Sequence, residues 1–274
     1  MDQLAASIVM GLTQGLTEFL PVSSSGHLII VPYLLGITDP FVTSLAFSVI
    51  LHIGTLVALL LYFWSDWRRL VPAGLAAVRD RSLNGDPDRR LAWLLAVATL
   101  PAAFLGFVLR DLEEILRAEV GLVATTLVIG GAILWLAERS GSRRKLSLDL
   151  NFNQALAIGG AQALALVPGI SRSGISISAG LFLGLRRDEA ARFSFLMATP
   201  ITAAAAAYEV LQLVRGEGIA VPVEPLLAGL VTSFVSGLLA IAVLLRLLRT
   251  RSTDVFVAYR IVLAAVVLVV WLGR

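Results

Sequence analysis

The sequence predicts an all-α, polytopic helical membrane protein, with six transmembrane helices plus two re-entrant helical hairpins in an inverted-topology repeat, all within a single integral-membrane domain. Three observations carry this. The 274 residues are 58% hydrophobic and only 15% charged, and apolar runs long enough to cross a bilayer recur along the whole chain. Two of these runs are broken near their middles by Pro, Gly and Ser, at positions where a lipid-facing helix leaves backbone groups unpaired. The two breaks superpose when the chain is shifted by 148 positions.

From the N-terminus, Met1-Asp2-Gln3-Leu4 lacks the basic start of a signal peptide, and Gln14 and Glu18 interrupt the apolar run behind it; the segment reads as part of the mature fold. Residues 4–36 form the first hairpin. Full crossings follow at 43–63, 91–109 and 120–137. Residues 152–184 form the second hairpin, followed by crossings at 193–213, 225–247 and 255–272. Trp64, Trp67, Trp93, Trp135 and Trp271 fall near span ends, where an amphipathic ring is at home. Asn84-Gly85-Asp86-Pro87 marks a turn in a long loop.

The basic residues test this topology. With both hairpins re-entrant, sixteen Lys and Arg, in segments 68–90, 139–145, 186–192 and 246–251, fall on one side, and four, Arg110, Arg117, Arg215 and Arg274, on the other. The positive-inside rule makes the richer side cytoplasmic and places both termini and the mouth of the first hairpin outside. Turning either hairpin into a full crossing weakens the bias. The same distribution explains a pI near 9.8 without nucleic acid, since the charges sit in short loops between spans. Cysteine is absent, which excludes disulfides and thiolate metal sites, and there is no P-loop or dinucleotide fingerprint.

The 148-residue shift places Gly11 on Gly159, Gln14 on Gln162, Ser23 on Ser171, Ser25 on Ser173, Gly26 on Gly174 and Gly36 on Gly184, with repeat halves of about 1–147 and 148–274. Each hairpin precedes three crossings, an odd number, so the second copy inserts upside down. Repeats of this kind bring broken helices together near the midplane, and the two Ser-rich turns should face each other across a pseudo-two-fold axis.

In the second turn, Arg172 offers five donors between Ser171 and Ser173, after Pro168-Gly169 and before Gly174. That arrangement suits a phosphate or carboxylate; an ion pair between Arg172 and an internal acid such as Glu18 is the plainer alternative. In the first turn, Gln14 and Glu18 lie four apart on one helix face. They suit a hard divalent cation, or a polar pair lining a helix interface. Ser24 and His27 form the minimum constellation for an activated hydroxyl, or a capping serine beside an interfacial histidine. His52 is expected to bond a neighbouring helix, and Glu209 and Arg260 to pair with each other or with headgroups.

Together, Gln14-x-x-x-Glu18-Phe19-Leu20-Pro21-Val22-Ser23-Ser24-Ser25-Gly26-His27-Leu28 and Pro168-Gly169-Ile170-Ser171-Arg172-Ser173-Gly174 closely resemble the motifs of the undecaprenyl pyrophosphate phosphatase family, also called the bacitracin-resistance proteins. The resemblance extends over the full chain in length, span order and repeat. It implies removal of the terminal phosphate of undecaprenyl pyrophosphate to regenerate the monophosphate carrier lipid of envelope synthesis. It also implies a bacterial inner membrane with the site facing the periplasm, a divalent metal such as Mg2+ or Ca2+, and a homodimer. The family's Glu/Gln-rich motif falls on Gln14 and Glu18, which would hold the metal. Its catalytic serine and histidine fall on Ser24 and His27, and its phosphate-binding arginine on Arg172. Ser23, Ser25, Gly26, Gly169, Ser171, Ser173 and Gly174 become the expected substrate-binding positions. Two departures stand out: Ser176 replaces a common Thr, keeping the hydroxyl, and Ser48 replaces a common acid, which bears on how metal is held.

The competing reading is a lipid flippase or secondary transporter, which the inverted repeat alone favours. A carrier needs no nucleophile, and the hydroxyl, imidazole, acid and guanidinium set tips the balance to a phosphatase. A non-catalytic scaffold leaves charged turns at membrane depth unexplained.

Overall fold

A computed structural model of the chain describes residues 1–109, 116, 120–214 and 222–273, without the side chains of 45, 209 and 212–214. The four outer basic residues Arg110, Arg117, Arg215 and Arg274, and the side chain of Glu209, lie outside the described residues. Among the described residues, regular structure is helical apart from an isolated bridge between Lys145 and Leu185.

The first hairpin is α1 (Gln3–Phe19) and α2 (Ser24–Leu35). Asp2 caps α1 by accepting the Ala5 N–H at 2.7 Å. α1 stops at Phe19 because Pro21 disfavours helical geometry at the residue before it, and Leu20 is extended with ψ 141°. Four helices follow: α3 (Leu45–Tyr62), α4 (Trp64–Asp80), α5 (Pro87–Val108) and α6 (Val120–Ser140). The second hairpin is α7 (Phe152–Ala163), opened by an Asn151/Gln154 capping box, and α8 (Arg172–Phe182). Then come α9 (Arg187–Val214), α10 (Val223–Leu248) and α11 (Asp254–Leu272). Helices α5, α6, α9, α10 and α11 are long and apolar enough to cross a bilayer, and α3 with α4 makes a sixth span bent by 80°. These match the six expected crossings. Phe104, Phe107, Val231, Val262 and Val269 stand exposed on them, as lipid-facing side chains do.

Helix α4 departs from the expected long loop, of which only the turn around Gly85 remains, with φ 89° and Pro87 opening α5. Its buried stripe of Asp66, Leu70, Ala73 and Ala77 packs inward at i, i+4, i+7 and i+11, while Trp64, Val71, Leu75 and Val78 face out. Asp66 accepts Arg69 at 3.0 Å and also binds Arg192 of α9, tying α4 to the bundle.

The halves interleave. α1 lies along α10, and its repeat counterpart α7 lies along α5. Small residues permit the first contact: a Cβ added at Gly15 would sit 2.0 Å from Ser236 Oγ and 2.3 Å from the Ser233 carbonyl. Gly159 meets the Ala98 carbonyl in the same way, at 1.9 Å. Close backbone approach between small residues is how helices associate where lipid supplies no hydrophobic drive. Beneath the turns, Phe19 packs edge-on against Phe195, with ring centroids 5.4 Å apart.

Candidate active site

Both hairpin turns end in the same device. Ser23, with φ 75°, caps α2 through the Gly26 N–H, and Ser171, with φ 79°, caps α8 through the Gly174 N–H. Left-handed backbone at a non-glycine residue is strained, by roughly 1–3 kcal/mol, and concentrates at functional sites. Its recurrence at repeat-related positions makes it part of the design. The hydroxyls of Ser23 and Ser25 lie 3.3 Å apart and those of Ser171 and Ser173 3.2 Å apart. The turns also bond each other: the Gly169 N–H donates to Ser23 Oγ at 3.2 Å, and Ser173 Oγ donates to the Leu20 carbonyl at 3.0 Å. Gly169 has φ 96°, and a Cβ there would fall 1.9 Å from Thr126 Oγ1, so only glycine fits. Two helix N-termini, each the positive end of a dipole, thus meet at one place.

Glu18 is the hub. Its Oε2 accepts Ser24 Oγ at 2.6 Å and Gln14 Nε2 at 3.0 Å, and its Oε1 accepts Arg172. The ion pair weighed against anion binding therefore exists, but it leaves the guanidinium largely free. Of five N–H groups, one serves Glu18 and one donates to Thr202 Oγ1 at 2.7 Å, so three remain uncommitted among the described residues. Ser176 uses its hydroxyl to hold the Arg172 carbonyl at 2.7 Å and to meet Ser194 Oγ at 2.6 Å.

His27 is not where its spacing suggests. Ser24 and His27 do not bond each other. His27 Nδ1 reaches back to the Ser23 carbonyl at 2.7 Å, and Nε2 meets Tyr259 Oη at 2.7 Å. His52 meets a neighbouring helix, as expected: its Nε2 stands 3.5 Å from Glu18 Oε2 of α1, while its Nδ1 bonds the Ser48 carbonyl of its own helix at 2.7 Å. Since a carbonyl only accepts, both Nδ1 atoms carry a proton. Arg260 reaches no headgroup. It is fully buried and donates to backbone carbonyls.

Gln14 Oε1 is buried without a hydrogen-bond partner. It stands beside the Glu18 carboxylate as an oxygen suited to a hard cation. Among the described residues no group of three or more His, Cys, Asp and Glu gathers to hold a metal, and Ser48 supplies no second carboxylate. This set fits an ion of the Mg2+ kind, which takes one or two carboxylates and completes its shell with water and substrate phosphates, rather than a dedicated protein cage.

A cavity of about 10 Å³ touches Glu18 and Arg172 between Phe19, Leu59, Ser194 and Phe195. A larger one, about 210 Å³, lies away from this chemistry, bordered by Arg69, Asp88, Glu189 and Arg192. Its arginines are already paired with Asp66 and Asp88.

Residues 7–266 match the family described as bacitracin resistance protein BacA. The chain is similar to a protein named undecaprenyl-diphosphatase from Desulforudis audaxviator, 46% identical over 268 residues that cover 97% of both chains. Proteins of the same name from Gemmatimonas aurantiaca and Moorella thermoacetica are each 44% identical, over 95% and 98% of both chains respectively.

Proposed function

We infer from the chain's membership of the bacitracin resistance protein family that it is a membrane-embedded undecaprenyl-diphosphatase, hydrolysing undecaprenyl pyrophosphate to undecaprenyl phosphate and phosphate. The observation that carries the chemistry is Ser24 Oγ donating at 2.6 Å to a carboxylate whose other oxygen is bound by Arg172. A hydroxyl on a base, beside a guanidinium with uncommitted donors and two helix N-termini, is what attack on a phosphoric anhydride needs.

In the reaction we propose, the free N–H groups of Arg172 and the N-termini of α2 and α8 take up the terminal phosphoryl oxygens. Ser24 Oγ attacks the terminal phosphorus and gives its proton to Glu18. The bond from phosphorus to the bridging oxygen breaks, releasing undecaprenyl phosphate, which receives that proton. Water then attacks the phosphoserine with Glu18 again as base, and Ser24 regains its proton as phosphate leaves. Glu18 and Gln14 Oε1 would hold a divalent ion, which when bound adds positive charge at the phosphoryl oxygens. His52 Nε2, 3.5 Å from Glu18 Oε2, would take part in moving that proton.

Location in the bacterial inner membrane with the site open to the periplasm is part of this proposal and is supported by the Lys/Arg distribution. A homodimer rests on the family resemblance alone. Purified protein in detergent should release phosphate from undecaprenyl pyrophosphate, stop on addition of EDTA, and recover with Mg2+ or Ca2+. No release with any divalent ion would sink the phosphatase reading; release unaffected by EDTA would remove the metal.

A further inference from the structure

Tyr259 and Arg260 are adjacent on α11, more than 230 residues from the first turn in sequence, yet both reach it: Tyr259 Oη meets His27 Nε2 at 2.7 Å and Arg260 Nη1 meets the Pro21 carbonyl at 3.3 Å. Arg260 also donates from Nη2 to the Gly169 carbonyl at 2.7 Å and the Ile170 carbonyl at 3.0 Å, and from Nε to the Leu127 carbonyl at 2.9 Å. Pro21 and Gly169 are related by the 148-residue repeat. One guanidinium therefore grips the same carbonyl in both copies.

Its surroundings are shaped for it. A Cβ at Gly130 would lie 2.2 Å from Arg260 Nη2, and one at Gly174 would lie 3.1 Å from Nη1. Among the described residues its hydrogen-bond partners are all carbonyl oxygens and it makes no ion pair. A fully buried arginine so arranged is costly compared with an apolar residue of similar size; what it provides is geometry, since a planar fork reaches several carbonyls at fixed angles. Tyr259 provides geometry of a second kind. The Ser23 carbonyl forces the proton onto His27 Nδ1, so in the neutral ring Nε2 accepts the phenolic O–H, and the two rings lie nearly parallel at 7° with centroids 5.7 Å apart.

We propose that the Tyr259-Arg260 pair of α11 is the positioning element of the active site, with Arg260 clasping the two turns in register at their repeat-related carbonyls and Tyr259 fixing the ring of His27 through its Nε2. This rests on the phosphatase reading for its catalytic consequence, and on the geometry alone for its structural one. Neither residue touches substrate in this scheme. Tyr259→Phe keeps the stacked ring and removes only the hydroxyl. Arg260→Lys keeps the charge but cannot span Pro21 and Gly169 together.

The test compares full-length Tyr259→Phe, Arg260→Lys and wild type in detergent by initial phosphate release, thermal midpoint and ¹⁵N-histidine spectra. The chain has only two histidines, and a His52→Gln sample assigns the spectra. For Tyr259→Phe, kcat should fall about tenfold with KM and the thermal midpoint held, and the ¹⁵N signal of His27 Nε2 should move to that of a ring nitrogen that has lost its hydrogen-bond donor while Nδ1 stays protonated. For Arg260→Lys, kcat should fall about 10²-fold, the scale on which misplacement of about 1 Å acts. If Arg260→Lys fails to fold, Tyr259→Phe decides. An unchanged His27 Nε2 signal in Tyr259→Phe, or a wild-type kcat, overturns the proposal. The Nε2 signal is read without turnover, so a wild type that releases no phosphate refutes the phosphatase reading and leaves this one to the spectra.

Discussion

Among the described residues Arg172 keeps three of its N–H groups uncommitted after bonding Glu18 and Thr202, and this separates a guanidinium from an ammonium at the same place. Lysine there would satisfy Glu18 and have little left to fork onto a phosphoryl group. Arg172→Lys should therefore lose activity by about two orders of magnitude in a phosphate-release assay while the protein remains folded; a variant within a factor of three of wild type would remove Arg172 from phosphate binding. Ser24 and Glu18, 2.6 Å apart, should act as one unit. Ser24→Ala and Glu18→Gln should each abolish most of the rate and the double variant should be little worse than the poorer single one, because residues sharing a step are strongly non-additive. Multiplicative losses would instead make Ser24 a phosphate ligand and leave Glu18 to activate water directly. The sequence made Gln14, Glu18, Ser24 and Arg172 legible because they lie in two short polar breaks of an apolar chain. It paired Ser24 with the wrong partner because helical spacing brings i and i+3 side chains to one face but says nothing of the Ser23 carbonyl that captures His27 Nδ1. His52, Tyr259 and Arg260 reach the site only through tertiary packing, and no local pattern marks them.

At the scale of elements, the apolar runs revealed every crossing because burial in lipid demands unbroken hydrophobic length. Helix α4 escaped that criterion: its stripes are amphipathic, and Pro72 and three arginines disguise it as loop. The closest contact of the fold, α1 on α10, was legible only as glycines of unassigned purpose. It yields a paired test. A Cβ at Gly15 would strike the Ser233 carbonyl at 2.3 Å and the Gly237 nitrogen at 2.7 Å, while one at Gly160 meets nothing within 4 Å. Gly15→Ala should lower the thermal midpoint in detergent, at a cost of roughly 1–3 kcal/mol for overpacking, and should cut activity by shifting Gln14 and Glu18 on the same helix. Gly160→Ala should be neutral or stabilising by up to about 1 kcal/mol, since alanine is the better helix former. Equal midpoints for the two variants would mean that α1 and α10 are not held by close backbone approach.

For the molecule as a whole, a hairpin that enters and leaves on one side makes each half contribute three crossings, so the sidedness of every loop depends on both hairpins being re-entrant. The broken helices support that arrangement: α1 and α2 are 17 and 12 residues long, α7 and α8 are 12 and 11, and at 1.5 Å per residue the last three fall well short of the roughly 30 Å hydrocarbon core. The absence of cysteine makes the consequence directly measurable, because each introduced thiol is the only one. Thr38, Asn84 and Ser142 are exposed, Thr38 just after the first hairpin and the other two in the basic loops before α5 and before α7. Thr38→Cys should react with a membrane-impermeant maleimide in intact cells, whereas Asn84→Cys and Ser142→Cys should react only after permeabilisation. Reaction at 84 and 142 but not at 38 would invert the topology and turn the first hairpin's mouth to the cytoplasm. Reaction at 38 and 84 together would be worse, since α3 would then fail to cross and the odd count that forces the second copy upside down would be lost. A pyrophosphate presented at the outer face reaches Ser24 and Arg172 only in the first of these outcomes.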